Sequence, residues 1–426
     1  MEKQFSHLSQ SNSADLLIIG GGIMGLCTAY YAAKAGASVL SLEKDEIGSG
    51  ATHGNAGLVV PSHIVPLAAP SIIGKGLRWM LDPESPFYIR PRWDLDLVRW
   101  LWAFRSYCTE AHVQAASKTL LELNVASARL YRELEDAGVI GEDCYTRKGL
   151  LYVYEQEANF QNGVEEAKHL EAEGFEMEVL DSKKVRERVP SASEDIAGGV
   201  HHVESAHVIP DRLMERLLRT VRDLGVEVHT GTKVTELVVE KGRVTSAKTE
   251  HGEFYGEQVV LASGALSPSL LKRIGVRIPL QPAKGYSLSV RLDGEMPPLP
   301  MILAEAYVAV TPMGDLLRFA GTLELTGVDY SISPRRIDGI LKSIHRFLPG
   351  LGEWETVETW AGLRPCLPDG LPVIGKPKGI DNLTIAAGHA KIGILLGPIT
   401  GRLTAQLAMG KEPEMDLKGV GLGRFG

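Results

Sequence analysis

Residues 15–43 read DLLIIGGGIMGLCTAYYAAKAGASVLSLE, and this stretch decides the fold. Residues 15–19 (DLLII) form a short buried strand, a glycine turn follows, and residues 23–35 have helical character. Gly36 stops that helix and residues 38–43 (SVLSLE) resume as a strand. Strand, helix and strand in so short a span make a βαβ unit, which implies a parallel sheet covered by helices. Gly20, Gly22 and Gly25 form a GxGxxG between the strand and the helix. The first glycine permits the tight turn, the second lets backbone N–H groups approach a pyrophosphate, and the third lets helix and strand pack closely. Ile23 and Met24 open the helix, whose N-terminus adds partial positive charge beside a diphosphate. Glu43 ends the second strand, where a carboxylate can bond ribose hydroxyls and repel a 2′-phosphate, and Lys44 follows it.

The turn alone leaves NAD and FAD open. The order of the remaining elements bears on the choice. A second α/β passage starts at Asp211, with a helix to Gly225, strands at Glu227–His229, 234–240 and 243–250, and a buried strand at 258–262. Alternating and aromatic strands dominate about 280–325, residues 334–348 are helical, and a strand at Leu383–Ala387 leads through a glycine turn to a helix at about 393–409. A nucleotide unit that opens the chain, yields to antiparallel structure and returns at the end points to FAD, because an NAD domain is normally contiguous. The fold class expected is therefore α/β plus α+β: a Rossmann-like parallel sheet built from discontinuous segments, with an antiparallel-sheet substrate domain. The expected ranges are 14–78, 195–278 and 356–426 for FAD binding, and 79–194 and 279–355 for the substrate or cap domain. Residues 49–76, rich in small residues and proline, read as loop. Residues 79–107 hold Trp79, Trp93, Trp100 and Trp102, with a helix from Leu95 that packs, covers the site, or docks an electron acceptor or a membrane face.

With 426 residues, 44% hydrophobic and 23% charged, the chain is globular and large enough for two or three domains. A net charge of −8 argues against a nucleic-acid partner, which needs a basic face. Cys27, Cys108, Cys144 and Cys366 are dispersed, so neither a zinc site nor a disulfide scaffold is expected. The polar first 13 residues lack a signal-peptide core, and no apolar run has the roughly 20 residues of a membrane helix. The expectation is a cytoplasmic protein, at most peripheral to a membrane, with its oligomeric state open and no metal.

Three blocks carry a family likeness: DLLIIGGGIMGLCTAYYAAKAG with LEK, ATHGNAGLVVP at 51–61, and WAGLRPCLPDGLPVIG with NLTIAAGHAKIGILLGPITGRLTAQL toward the end. In order and spacing they resemble the D-amino-acid oxidase superfamily of flavoenzymes, in particular D-amino-acid dehydrogenases, glycine and sarcosine oxidases and hydroxyproline dehydrogenases. The resemblance implies FAD, with Ala51, Thr52, Asn55, Ala56, Gly57 and Leu58 beside the isoalloxazine ring. It also implies Val234 at adenine and Ser263 and Gly264 at the pyrophosphate. Gly388, Lys391, Ile392, Gly393 and Ile394 would lie at the pyrimidine end, where backbone donors and a helix N-terminus stabilise negative charge on reduced flavin.

The likeness further implies that Arg364, in GLRP, pairs a substrate carboxylate, a task suited to a guanidinium fork. Lys391, in GHAK, is a second substrate contact or a solvent-facing lysine. Tyr286 and Tyr307 either bond substrate or pack; His53, and similarly His207, are polar candidates in the same region. Cys366 does not match the sarcosine-oxidase spacing for a covalent flavin link. The implied reaction takes hydride from Cα of a small amino or imino acid to flavin N5, giving an imine, with a quinone or other carrier as acceptor. An O2-using glycine or sarcosine oxidase and an FAD-binding subunit of a heteromeric dehydrogenase remain the alternatives.

Overall fold

A computed structural model describes residues 12–80, 82 and 85–425; the polar opening stretch 1–11 lies outside them. The βαβ unit forms as strand Ser13–Ile19, helix Ile23–Lys34 and strand Val39–Leu42. Ser13–Ile19 is central, pairing in parallel with Val39–Leu42 on one side and Gly252–Leu261 on the other. Glu227–His229 and Leu383–Ala387 extend the sheet outward, also in parallel. Segments far apart in sequence thus interleave in one parallel sheet, as the order of the motifs predicts. The first helix and the last, Gly393–Ala408, meet over its face. They approach so closely that a Cβ on Gly401 would lie 2.4 Å from Cβ of Cys27.

The second sheet is mostly antiparallel and runs in the order Trp354–Cys366, Gln281–Leu292, Leu316–Leu325, Val308–Met313, Met301–Leu303, Leu150–Tyr154, Gly198–His202, Met177–Asp181. Its strands alternate, so one face is apolar and the other small and polar. Tyr286, Leu288, Val290, Leu317 and Phe319 pack with Ile340, Ile344 and Phe347 of helix Pro334–Phe347. The intervening Ser287, Ser289, Ala309 and Ala320 face the nucleotide side, in register with cleft-lining Trp360.

Three expectations need correction. Helix Pro70–Trp79 begins inside the stretch read as loop, because Pro70 occupies a first-turn position where its fixed φ favours a helix. Short strand Leu58–Val59 lies in the same stretch, paired with Ala206–Val208. The domain ranges also shift: Gly198–His202 and Trp354–Cys366, expected on the nucleotide side, belong to the antiparallel sheet. Helix Glu110–Asp136, expected in the cap, packs into the nucleotide-side core, where Tyr131 Oη donates to the Ile394 carbonyl at 2.6 Å. Partners remote in sequence decide each of these memberships. Helix Leu95–Tyr107 buries Leu97 and Trp100, and Trp100 Nε1 donates to the Cys366 carbonyl at 3.1 Å; Trp93, Leu95, Val98 and Trp102 remain exposed. Among the described residues no helix is long and apolar enough to cross a membrane.

His53 clamps three elements. Its Nδ1 lies 2.6 Å from Asp211 in the first turn of helix Pro210–Asp223, and its Nε2 lies 2.9 Å from Glu358 on strand Trp354–Cys366. Arg318, buried beneath, donates from Nη1 to the carbonyls of His53 and Asn55 at 2.5 and 3.0 Å. The hydrogen bond to Asp211, then that to Glu358, push the imidazole up to about 9 against the opposing effect of burial. A raised folded-state value means the clamp stabilises fully below the ordinary imidazole value of 6.5 and is lost as pH rises through about 9. His53→Gln is therefore expected to lower Tm at pH 6, and thermal melts of variant and parent should converge by about pH 10.

Candidate active site

A cleft of about 620 Å³ runs from the C-terminal ends of the parallel strands to the antiparallel sheet. At one end lie Lys233 and Val234, in the middle Gly20, Gly22 and Ser263, and at the other Trp360, His389 and Gly393. The glycine turn creates the middle. Gly20 has φ +117°, and a Cβ there would lie 2.4 Å from the Ala262 carbonyl oxygen. A Cβ on Gly25 would lie 1.8 Å from the Gly20 carbonyl oxygen, so the third glycine brings the helix onto the strand. Gly22 differs: a Cβ there meets nothing closer than Thr52 Oγ1 at 3.5 Å, so its empty side opens on the cleft. It caps helix Ile23–Lys34 with no side chain of its own; the Ile23 N–H donates to Thr52 Oγ1 at 3.3 Å, and the helix starts on the cleft-lining residues Gly22, Ile23 and Met24.

Of the residues predicted to touch cofactor, Gly20, Gly22, Ile23, Met24, Glu43, Lys44, Ala51, Thr52, Asn55, Val234, Ser263, Gly264, Gly393 and Ile394 line the cleft. Glu43 does more than face a ribose: its carboxylate accepts from the Gly21 and Asp45 N–H groups at 2.7 and 3.0 Å, tying the glycine turn to the second strand. Gly25, Ala56, Gly57, Leu58, Gly388, Lys391 and Ile392 do not line it. Gly57 and Gly388 serve packing instead, with φ of +71° and +85° and a virtual Cβ 2.1 Å from the Val208 carbonyl oxygen and Leu367 Cδ1 respectively.

Sequence reasoning missed Trp360 and Tyr330, and did not single out His389 within the segment 388–394; all three are in the cleft wall. The indole of Trp360 lies over two glycines, with virtual Cβ atoms of Gly54 and Gly362 at 1.9 and 1.7 Å from its ring. The signal was present as WAG immediately before Leu363 and Arg364, but an aromatic followed by a small residue and glycine has no meaning until the strand's facing loop is known.

The five candidates for substrate chemistry separate. Tyr286 projects to the far face of the sheet, 1% exposed, and its hydroxyl donates to Glu324 at 2.6 Å. Strand alternation puts it opposite the cleft, so it is a packing residue. Tyr307, at φ +55°, rests edge-on against Trp79 with ring centroids 5.2 Å apart and does not line the cleft. His53 is the clamp described above, and His207 pairs with Leu58 in the small sheet. Arg364 and Lys391 alone come together. Burial of Arg364 disfavours its charge. Lys391 is reached by solvent yet ringed by enough protein to be desolvated; with the like charge of Arg364, this pulls its ammonium down to about 8. Glu166 and Cys366 act on Lys391 in the opposite sense, and Lys391 itself drives His63 below the usual imidazole range. Cys366 is a buried thiol pushed up to about 12 by desolvation.

These features fit a long dinucleotide with an anionic middle. The N-terminus of helix Ile23–Lys34 and the open side of Gly22 suit a pyrophosphate, and the last helix, whose N-cap residue makes no side-chain cap, turns its positive end toward the Trp360 end of the cleft. A family model described as FAD dependent oxidoreductase (DAO) matches residues 15–407. A D-amino acid dehydrogenase of Methylobacterium radiotolerans is 32% identical over 421 residues, covering 96% of this chain and 99% of that protein. Glycine oxidase from Bacillus cereus superposes with a TM-score of 0.75 at 26% identity, covering 94% of this chain and 96% of that one. Glycine oxidase from Geobacillus kaustophilus gives 0.78 at 24% identity, with 96% and 98% covered, which supports the shared fold. A nucleotide cleft closed by both ends of the chain and a family match across nearly all of it agree, and the chain belongs to the DAO family of FAD dependent oxidoreductases.

Proposed function

We propose that this FAD-dependent enzyme oxidises a small D-amino acid at its Cα–N bond and passes the electrons to a quinone or similar carrier in the cytoplasm. The observation that carries the reading is that Arg364 and Lys391 lie within each other's field, each adjacent in the chain to the cleft-lining residues Leu363, Pro365 and Ala390. Two positive groups within each other's field make an anion site, and an amino acid presents a carboxylate next to the carbon to be oxidised. The full-length likeness to D-amino acid dehydrogenases supports the D configuration and a dehydrogenase reaction. FAD, when bound, supplies the two-electron sink.

The chain's own residues hold and orient. The Gly20–Gly25 turn, Ser263 and Gly264 would grip the pyrophosphate; Val234 and Glu43 would hold the adenosine end; Ala51, Thr52, Asn55, Gly393 and Ile394 would line the ring. Arg364 would meet the carboxylate in a fork while Lys391 neutralises it, fixing Cα over the ring and leaving the amine toward Glu166 and His63. An O2-using glycine oxidase is the second reading, favoured by the likeness to the Bacillus cereus enzyme.

Anaerobic mixing of the yellow protein with D- and L-amino acids, proline types and N-methyl amines tests this, read at the flavin absorbance. Bleaching by D-amino acids is expected; bleaching by none of them would sink the reading, and stoichiometric peroxide in air would favour the oxidase. Arg364→Lys should raise both KM for the amino acid and Kd for propionate by roughly 10- to 100-fold, since a hydrogen bond to a charged group contributes about 1.5–3 kcal/mol. Propionate has no amine to titrate, so its binding isolates Lys391. Because the folded-state value lies near 8, below the ordinary 10.5, affinity should be level between about pH 6 and 7, where propionate is already ionised, and fall as pH rises through about 8. Lys391→Arg should abolish that fall up to about pH 10, because a guanidinium stays protonated.

A further inference from the structure

Arg364 lies against an irregularity in the sheet. Across strands Gln281–Leu292 and Leu316–Leu325, Lys284 pairs with Glu324 but Tyr286 pairs with Gly321. Gly285 is thus opposed by both Thr322 and Leu323, which is a β-bulge. Thr322 takes φ +66°, a left-handed conformation that a β-branched residue rarely adopts. In that conformation its carbonyl accepts a hydrogen bond from Arg364 Nη1 at 2.6 Å. Gly285 lies beneath the same guanidinium. A Cβ there would fall 1.9, 2.3 and 2.4 Å from Nη1, Cζ and Nη2 of Arg364, its three nearest atoms. Gly285 is not among the residues with positive φ, so alanine suits its backbone, and the missing side chain makes room for the guanidinium alone.

The neighbours on either side are fixed from the opposite face. Lys284, Tyr286, Glu324 and Arg336 are each at most 5% exposed. Tyr286 Oη and Arg336 Nε donate to the two Glu324 oxygens at 2.6 and 3.0 Å, and Lys284 Nζ donates to Asp329 at 2.9 Å. A buried, fully paired network of this kind tolerates little displacement, since any shift leaves a charge without its partner. Strain at Thr322 is therefore held in place by residues 284, 286 and 324, which bracket the bulge.

We propose that Gly285 and the Thr322 carbonyl are positioning elements for Arg364. The carbonyl occupies Nη1 and the bare Gly285 backbone supports one face of the guanidinium, so Nε and Nη2 present a fixed edge to an incoming carboxylate. This rests on Arg364 being the carboxylate anchor, and the test separates the two claims. In the FAD-loaded protein, Arg364→Lys tests the anchor: unchanged propionate Kd would overturn the reading of the site itself. Gly285→Ala tests the positioning. Its propionate Kd and amino-acid KM should rise at least about tenfold, with FAD content and the flavin spectrum kept and kcat at saturation changed far less. Adding Gly285→Ala to Arg364→Lys should then cost nothing further, because both act through one guanidinium. A parental Kd in Gly285→Ala, or fully additive losses in the pair, would overturn the positioning role. If Gly285→Ala alone does not fold, Gly285→Ala with Arg364→Ala decides. Recovery of yellow, folded protein shows that the methyl collides with the guanidinium; continued failure shows that Gly285 is needed for another reason and overturns the inference.

Discussion

Everything at the nucleotide end depends on two places where backbone meets backbone with no room for a side chain. The Ala262 carbonyl lies where a Cβ of residue 20 would be, and the Gly20 carbonyl lies where a Cβ of residue 25 would be. The first contact locks the opening strand to one contributed some 240 residues later, and the second sets the helix on that strand. Glu43 completes the unit by accepting the Gly21 N–H. With those contacts made, the N-terminus of helix Ile23–Lys34 has one direction in which to point, and that direction is the cleft. The anion-binding potential of the turn follows from packing of neutral backbone and from no charged side chain.

The antiparallel sheet does two jobs with one set of strands, because alternation separates them. Residues 284, 286, 288 and 290 build an interior with helix Pro334–Phe347, while 285, 287 and 289 face the nucleotide side. Charge is divided in the same way. The far face carries Lys284, Glu324 and Arg336, each paired and shut away from solvent. The near face carries Arg364 and Lys391, whose charges repel and are disfavoured by their surroundings. Paired buried charges hold a shape, whereas the Arg364 and Lys391 charges oppose each other.

His53 shows how tertiary partners assign a motif residue its task. Both imidazole nitrogens are engaged, by Asp211 and Glu358 at sequence separations of 158 and 305. Its contribution is to hold the loop carrying Thr52 and Asn55 against the sheet, which Arg318 reinforces through the His53 and Asn55 carbonyls. Trp360 is the converse case, a cleft-wall residue whose place is made by Gly54 on that same loop.

The local rules of chain geometry were enough to specify the βαβ unit, the work of each glycine in it, the discontinuous parallel sheet and the cofactor class. The βαβ unit and its glycines rest on strand alternation, helix stops and glycine conformations, which act within a few residues and are written in 15–43; the discontinuous sheet and the cofactor class rest on the order of the later elements. The block order added the family. What the sequence by itself did not contain was the direction of side chains between elements: that Tyr286 turns away while Gly285 stays bare, that Pro70 starts a helix within an apparent loop, and that Trp354–Cys366 leaves the nucleotide side for the antiparallel sheet. The first and last are settled by pairing with strands tens to hundreds of residues away, whereas Pro70 acts locally through its fixed φ, a signal that the surrounding small residues and prolines masked.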